Sequence, residues 1–222
     1  MPKITLIVGP PGCAKTTTLL DILEKEIASG IPARAVAFCS FTQMGSNVGR
    51  ERAMKRFGGD DEDYAHFRTL HSLCFRALGL SRSDLMQASD YAALSRAMGM
   101  SFRGHYSRDM HGVDDIYLFM EQLWRNNRRT AHSYLDEINM DKFQFVRLNY
   151  PRYKQIKQRI DFTDMLARFT EVGAPLPGVK VAFIDEAQDL TTLQWRVALI
   201  AFRECERIYI APGSGKSDRQ TQ

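Results

Sequence analysis

The 222-residue sequence lacks the features that mark secreted, membrane-spanning and zinc-bound proteins. Its four cysteines are widely separated and form no CxxC pair, which argues against a disulfide framework or a structural metal. No apolar run approaches the roughly 20 residues that cross a bilayer, and no signal pattern precedes the first apolar segment. We therefore expect a cytoplasmic protein with reduced thiols, no membrane partner and no structural metal.

Most of the chain also lacks an excess of either positive or negative residues. Residues 101–159 hold 11 Lys and Arg against 7 Asp and Glu, whereas the remaining residues hold 19 of each. A partner with a phosphate backbone would explain this local excess. A solvated, mildly basic helical surface explains it equally well, so charge alone leaves nucleic-acid binding open.

Strand-like and helix-like segments alternate along the chain. Short apolar runs predict five strands, at Ile4–Val8, Ala33–Phe41, Phe67–Leu70, Val179–Ile184 and Arg207–Ala211. After the first run, four apolar residues recur at helical spacing, namely Leu19, Leu20, Leu23 and Ile27. From about residue 83 to residue 159 only helical spacing is found. The pattern predicts an α/β protein, with a parallel sheet flanked by helices and an inserted all-helical segment.

The segment after the first strand has the composition of a phosphate-binding loop. It runs into a helix and comprises Gly9, Pro10, Pro11, Gly12, Cys13, Ala14, Lys15, Thr16 and Thr17. Backbone N–H groups and the helix N-terminus would hold the phosphates, Lys15 would contact the β- and γ-phosphates, and Thr16 would bind Mg²⁺. Ala14 stands where a second glycine is usual, and its methyl group restricts the loop. The alternative is a Gly/Pro turn with a chance lysine.

An acidic pair, Asp185 and Glu186, ends the apolar run at 179–184. Phosphoryl transfer to water needs one carboxylate for the metal and one for the nucleophile. Asp185 would hold Mg²⁺ through water, and Glu186 would orient and deprotonate the attacking water. The alternative is an acidic helix N-terminus, where carboxylates are favourable in any protein.

Several segments in order resemble the helicase motifs of the UvrD/Rep/PcrA group of superfamily 1. Asp-Glu-Ala-Gln-Asp at 185–189 resembles motif II, and Thr-Leu-His-Ser at 69–72 resembles motif Ib. Phe-Thr at 41–42 with Glu-Arg at 51–52 resembles motif Ia, although residues 43–47 depart from it. Residues 161–166 resemble the segment that returns from the inserted subdomain, and residues 207–211 the strand before motif III. The similarity spans nearly the whole chain.

The resemblance implies a RecA-like P-loop NTPase that uses ATP and Mg²⁺. Its ATP-binding domain 1A would comprise 1–82 and 160–211, and its helical insertion 1B would comprise 83–159. Residues 212–222 would form a disordered tail, a divergent motif III or a sequence discontinuity. A second RecA-like domain, which supplies arginines to catalysis, is missing from this sequence. We expect the protein in the cytoplasm of a bacterial or phage-infected cell.

The resemblance also implies partners, namely single-stranded DNA and junctions of single- and double-stranded DNA. Motifs Ia and Ib would face the single strand through Phe41, Thr42, Thr69, His71 and Ser72, and Gln188 would couple the γ-phosphate to them. The alternatives are a core phenylalanine at 41 and a helix cap at 69–72. In the insertion, Arg125, Arg128 and Arg129 are candidate phosphate contacts, although a solvated helix end is equally compatible with them. The stretch Tyr150-Pro-Arg152-Tyr153-Lys154 is another, although a packed tyrosine pair is equally compatible with it.

These observations favour an ATP-dependent DNA helicase motor domain, with 3′→5′ polarity by family analogy and a role in repair or replication. Without a second domain it would hydrolyse ATP weakly. A non-catalytic DNA-binding or regulatory fragment of a helicase is the main alternative, which Ala14 and the unusual tail favour. An unrelated phosphate-loop enzyme such as a small-molecule kinase leaves motif Ib, residues 161–166 and Gln188 unexplained.

Overall fold

A single parallel sheet organises the part of the chain that carries the predicted phosphate-binding loop. The computed structural model describes residues 1–9, 15–40, 43–104, 114–126 and 138–212. Within them the strands are β1 (Lys3–Leu6), β2 (Val36–Cys39), β3 (Val181–Asp185) and β4 (Arg207–Ala211), in the spatial order β1-β4-β3-β2. All three strand pairs are parallel. The predicted α/β class with a parallel sheet and flanking helices is confirmed.

Helices connect and flank these strands. Those of the described residues are α1 (Lys15–Ala28), α2 (Gln43–Phe57), α3 (Leu70–Ala77), α4 (Ala88–Met98), α5 (Asp115–Asn126), α6 (Met140–Lys157), α7 (Phe162–Val172) and α8 (Thr192–Ala201). Short 3-10 turns occur at Ala33–Ala35, Arg82–Asp84 and Ala187–Asp189. The strands are thus joined by crossover connections, as parallel pairing requires.

An aromatic row crosses one face of the sheet. Phe38 of β2 is in register with Phe183 of β3, which is in register with Tyr209 of β4. The ring centroids lie 6.2 Å apart for the first pair and 5.0 Å apart for the second, and both pairs are stacked. Leu19 and Leu23 of α1 pack into the same cluster without solvent exposure. The helical face predicted for α1 is therefore the one that covers the sheet.

Helix α2 approaches β2 closely because it has a glycine at the contact. A Cβ atom built on Gly49 would lie 2.8 Å from the nearest ring carbon of Phe38. Cβ atoms in proteins do not come this close to other heavy atoms. Phe38 is fully buried and cannot yield without disturbing the aromatic row. The contact at Gly49 therefore fixes the middle of α2 on the sheet.

The predicted strand at 67–70 is wrong, and that at 33–41 is too long. Phe67 forms an isolated parallel bridge with Phe38, and α3 already begins at Leu70. The Thr69 hydroxyl accepts a hydrogen bond from the Ser72 N–H at 3.3 Å, which caps α3 and ends the extended backbone. Residues 33–35 form a 3-10 turn before β2.

The contacts divide the chain into two compact units. One comprises Met1–Ala77, Phe169–Leu190 and the chain from Gln194 onward, and the other comprises Leu78–Arg168 with Thr191–Leu193. The second has its own core, which includes Leu94, Met120, Phe143, Val146 and Tyr150. The assignment of 83–159 to an insertion within the ATP-binding domain stays a prediction. Of the predicted tail 212–222, all but Pro212 lies outside the described residues.

Helix α5 and helix α7 each leave part of an apolar face uncovered. In α5, Met120 is buried, whereas Ile116, Phe119, Leu123 and Trp124, which share its face at helical spacing, are only partly buried. In α7, Met165, Leu166 and Phe169 are buried, but Phe162 at the first position is 60% exposed. The packing of each helix decides which of its apolar side chains are covered.

Candidate functional site

The first helix begins with two of the predicted nucleotide contacts. Lys15 and Thr16 are the first residues of α1, which follows β1 after the predicted phosphate loop. The Lys15 ammonium donates a hydrogen bond to the carbonyl oxygen of Gly9 at 2.9 Å. The cation is therefore held at the start of the predicted loop. Residues 10–14 lie outside the described part of the chain, so the phosphate contacts of Pro10, Pro11, Gly12, Cys13 and Ala14 stay predictions.

The two predicted metal ligands lie together. Asp185 is the last residue of β3, and its Oδ2 accepts a hydrogen bond of 2.9 Å from the Thr16 hydroxyl. Asp185 is buried, and burial raises the pKa of its carboxyl group. The hydrogen bonds from Thr16 and from the Glu186 N–H oppose that effect on the pKa. This carboxylate is thus desolvated and stabilised by two donors.

A hydroxyl and a carboxylate in contact are suitable ligands for Mg²⁺. This ion prefers oxygen ligands and is usually held by one or two protein groups, several waters and the phosphates of a substrate. The described residues contain no group of three or more His, Cys, Asp and Glu side chains that would form an all-protein metal cage. Thr16 and Asp185 therefore fit a magnesium ion that arrives with a nucleotide.

Glu186 has a left-handed backbone, with φ 52° and ψ 41°. A non-glycine residue in this region costs roughly 1–3 kcal/mol, so the surrounding structure must hold it there. The Asp189 N–H donates to the Glu186 carbonyl oxygen at 3.0 Å, and the Gln188 side-chain amide donates to the Glu186 Oε2 atom at 2.7 Å. The backbone turn and the amide together fix where this carboxylate points.

The motif that resembles Ib lies at the N-terminus of α3. Thr69 caps this helix, as described above, and Thr69, His71 and Ser72 are all half-buried. Burial lowers the pKa of His71, so its imidazole is neutral at physiological pH. A neutral imidazole offers one donor and one acceptor rather than a positive charge. A contact of His71 with DNA stays a prediction.

The remaining predicted DNA contacts fall into two groups. Phe41, Thr42, Arg128 and Arg129 lie outside the described residues, and their contacts stay predictions. Arg125 is described, and its guanidinium binds three carboxylates. The distances are 2.7 Å to Glu121, 2.5 Å to Asp161 and 2.6 Å to Asp164. A DNA phosphate would have to compete with all three acids for this side chain.

Sequence reasoning missed the buried charge network around Asp161. The Lys154 ammonium lies 2.6 Å from Asp161 and 2.5 Å from Asp164, and the Lys154 residue is only 3% exposed. The hypothesis of a phosphate contact at Lys154 is therefore wrong, and Tyr150, which is fully buried, is a packed residue. One signal could have revealed this network. Phe143, Val146, Tyr150 and Lys154 fall on one face of α6, so Lys154 continues an apolar stripe.

The chain belongs to the family of the UvrD/REP helicase N-terminal domain. The family model matches residues 2–211, which is nearly the whole chain and includes both units. No curated protein matches this chain. The resemblance found in the sequence is thereby confirmed, and with it a helicase function of the nucleotide- and DNA-binding kind that defines this family.

A helix that crosses a bilayer has to be both long and apolar. None in the described part of the chain combines enough length with enough apolar character to cross a membrane.

Proposed function

We propose that this chain is the ATP-binding half of a DNA helicase motor, which binds Mg-ATP and single-stranded DNA and couples hydrolysis to 3′→5′ translocation and unwinding. The observation that carries the proposal is the contact of Thr16 with Asp185 beside the fixed carboxylate of Glu186. These groups supply the two functions that phosphoryl transfer to water needs, which are a metal-binding pair and a base.

Each residue has a distinct part in the proposed reaction. Lys15 exchanges its hydrogen bond with Gly9 for the β- and γ-phosphate oxygens. Thr16 and Asp185 would hold Mg²⁺, whose charge would offset that of the phosphates. Glu186 accepts a proton from the attacking water as the new bond to the γ-phosphorus forms. The bond from that phosphorus to the β-phosphate oxygen breaks, and ADP leaves.

The DNA-binding part of the proposal rests on motifs Ia and Ib. Phe41 and Thr42 precede α2 in the sequence, whereas Thr69 caps α3, and His71 and Ser72 lie in its first turn. Thr17 is a further proposed contact with the nucleotide. Arg128 and Arg129 are further proposed contacts with DNA. We further propose that residues 1–82 and 160–211 form domain 1A and residues 83–159 subdomain 1B. Junctions of single- and double-stranded DNA would be the natural substrate, in repair or replication.

A second RecA-like domain, on this or another chain, would complete the proposed motor. Arginines from such a partner accelerate related phosphoryl transfers by about 10³–10⁵. We therefore expect slow ATP hydrolysis by these 222 residues alone.

The test is ATP hydrolysis by the purified chain with and without single-stranded DNA, beside Lys15→Ala and Glu186→Gln. DNA-stimulated turnover that both substitutions abolish would support the motor. Nucleotide binding that Lys15→Ala removes, without turnover, would support a nucleotide site that needs the second domain. Absence of both nucleotide binding and turnover would overturn the catalytic proposal and favour a non-catalytic DNA-binding or regulatory fragment.

A further inference from the structure

Two acids of α1 bind two arginines of α2. Arg52 donates from Nε to Glu24 at 2.7 Å and from Nη2 to Asp21 at 2.5 Å. Arg56 binds the other carboxylate oxygen of Glu24. Only 8% of the Glu24 side chain is exposed, so this carboxylate is held between the helices. We call these four residues the helix-linking cluster.

The four residues of the cluster connect two helices that lie next to proposed ligand contacts. Asp21 and Glu24 are three positions apart on α1, and Arg52 and Arg56 are four apart on α2, so each pair shares one helix face. Helix α1 begins with the nucleotide contacts Lys15 and Thr16, roughly 12 Å from Glu24 at the usual rise per residue. Helix α1 therefore begins at the proposed nucleotide contacts, and helix α2 begins directly after the proposed DNA contacts in the sequence.

Helix α2 is held at a second point. Its middle is fixed where Gly49 meets Phe38, and its N-terminus at Gln43 directly follows Phe41 and Thr42. The helix-linking cluster engages the C-terminal half beyond Gly49. The helix-linking cluster therefore engages one end of α2, the proposed DNA contacts precede its other end in the sequence, and the contact at Gly49 lies between the two ends.

We infer that the helix-linking cluster couples nucleotide binding at α1 to DNA binding at α2. The inference rests on the proposed function, because it needs both ligands to bind. Exposed ion pairs contribute little to stability, and Asp21 and Arg56 are more than half exposed. Glu24, in contrast, is buried and is bound by both arginines, so removal of its charge releases both contacts with α2 at once.

The test is a binding linkage that requires no turnover. The affinity of the 222-residue chain for a non-hydrolysable Mg-ATP analogue is measured with and without an oligothymidylate. We expect DNA to change the nucleotide affinity of the wild type by at least about fivefold, the lower end of allosteric coupling. In Glu24→Gln the factor should fall close to one, with each ligand alone bound within about twofold of the wild type.

A mutant cycle and a matched control locate the effect. Arg52→Gln should remove the linkage, and the double variant with Glu24→Gln should lose no more than either single variant. Asp21→Asn, at an exposed position that folding tolerates, should weaken it. Arg50→Gln is the control, since Arg50 lies on α2 but pairs with Asp61 at 3.1 Å rather than with α1. This variant should keep the full linkage.

Two results would overturn the inference alone. One is a folded Glu24→Gln protein that keeps the wild-type linkage, and the other is a wild type that binds both ligands without any linkage. A wild type that binds neither nucleotide nor DNA would instead overturn the proposed function, and this inference with it. Circular dichroism melts of every variant separate loss of linkage from loss of fold.

Discussion

The Thr16 hydroxyl donates a hydrogen bond of 2.9 Å to Asp185, although 169 positions separate the two residues in the sequence. The contact forms because β3 and the start of α1 meet at the carboxyl end of the sheet. It joins the helix that begins the proposed nucleotide site to the strand that ends in the acidic pair. Loss of either side chain should therefore affect the same ion.

We expect Thr16→Val to raise the Mg²⁺ concentration needed for half-maximal ATP binding by about 10- to 100-fold, because an oxygen ligand is replaced by a methyl group of equal size. The measurement is a Mg²⁺ titration of nucleotide binding. Thr18→Val is the matched control, two positions further along α1, and should behave as the wild type. An unchanged Mg²⁺ requirement in Thr16→Val would show that this hydroxyl is not a ligand.

Gln188→Ala should slow turnover without weakening nucleotide binding. The Gln188 amide contacts Glu186 at 2.7 Å, and Glu186 is proposed to act on the attacking water rather than on bound ATP. We expect kcat to fall by about tenfold with an almost unchanged KM, as for an interaction used only in the transition state. Steady-state kinetics with DNA present would check this. Asp189→Asn, in the same turn, should leave both parameters alone, whereas a raised KM in Gln188→Ala would indicate contact with the nucleotide.

Lys154→Met should destabilise the chain strongly. Lys154 is almost fully buried between Asp161 and Asp164, and removal of one partner from a buried ion pair typically costs about 3–5 kcal/mol. Arg125 continues to neutralise both acids, so we expect the lower part of that range. Urea denaturation measures the loss. An exposed pair provides the contrast, since Lys180→Met breaks a 3.9 Å contact with Glu206 and should cost less than about 1 kcal/mol.

The same network should make stability depend on acid pH. Burial alone would raise the pKa of Asp161, but Lys154 and Arg125 lower it to about 2. An unfolded aspartate has a pKa of about 3.9. The folded state therefore gains stability from Asp161 above about pH 4, and that contribution is lost as the pH falls towards about 2.

This pH dependence can be measured as a difference between two proteins. The gap in unfolding free energy between the wild type and Asp161→Asn should be widest near pH 7 and shrink between about pH 4 and pH 2. Subtraction removes the contribution of the other carboxylates. A gap that stays constant over this interval would show that the Asp161 pKa is not depressed in the folded state.

Local sequence predicted the elements whose signals are local. The apolar runs at β3 and β4 and the leucines of α1 follow the periodicity of a strand or a helix, and their packing agrees with it. The apolar run at β1 also forms a strand, but its Ile4 and Leu6 are more than half exposed. The family motifs identified the chain because their order along the sequence needs no tertiary information. The strand predicted at 67–70 failed because one hydroxyl, that of Thr69, caps a helix there.

Side-chain partners were decided only by the tertiary structure. By residue type alone, Arg125 and Lys154 cannot be distinguished from cations on the surface, yet both bind Asp161 inside a folded unit. The contact of Thr16 with Asp185 and the link from Arg52 to Glu24 likewise join distant segments. The physical reason is that periodicity reports which face of an element is buried, whereas the partner of a charge depends on which elements the whole fold brings together.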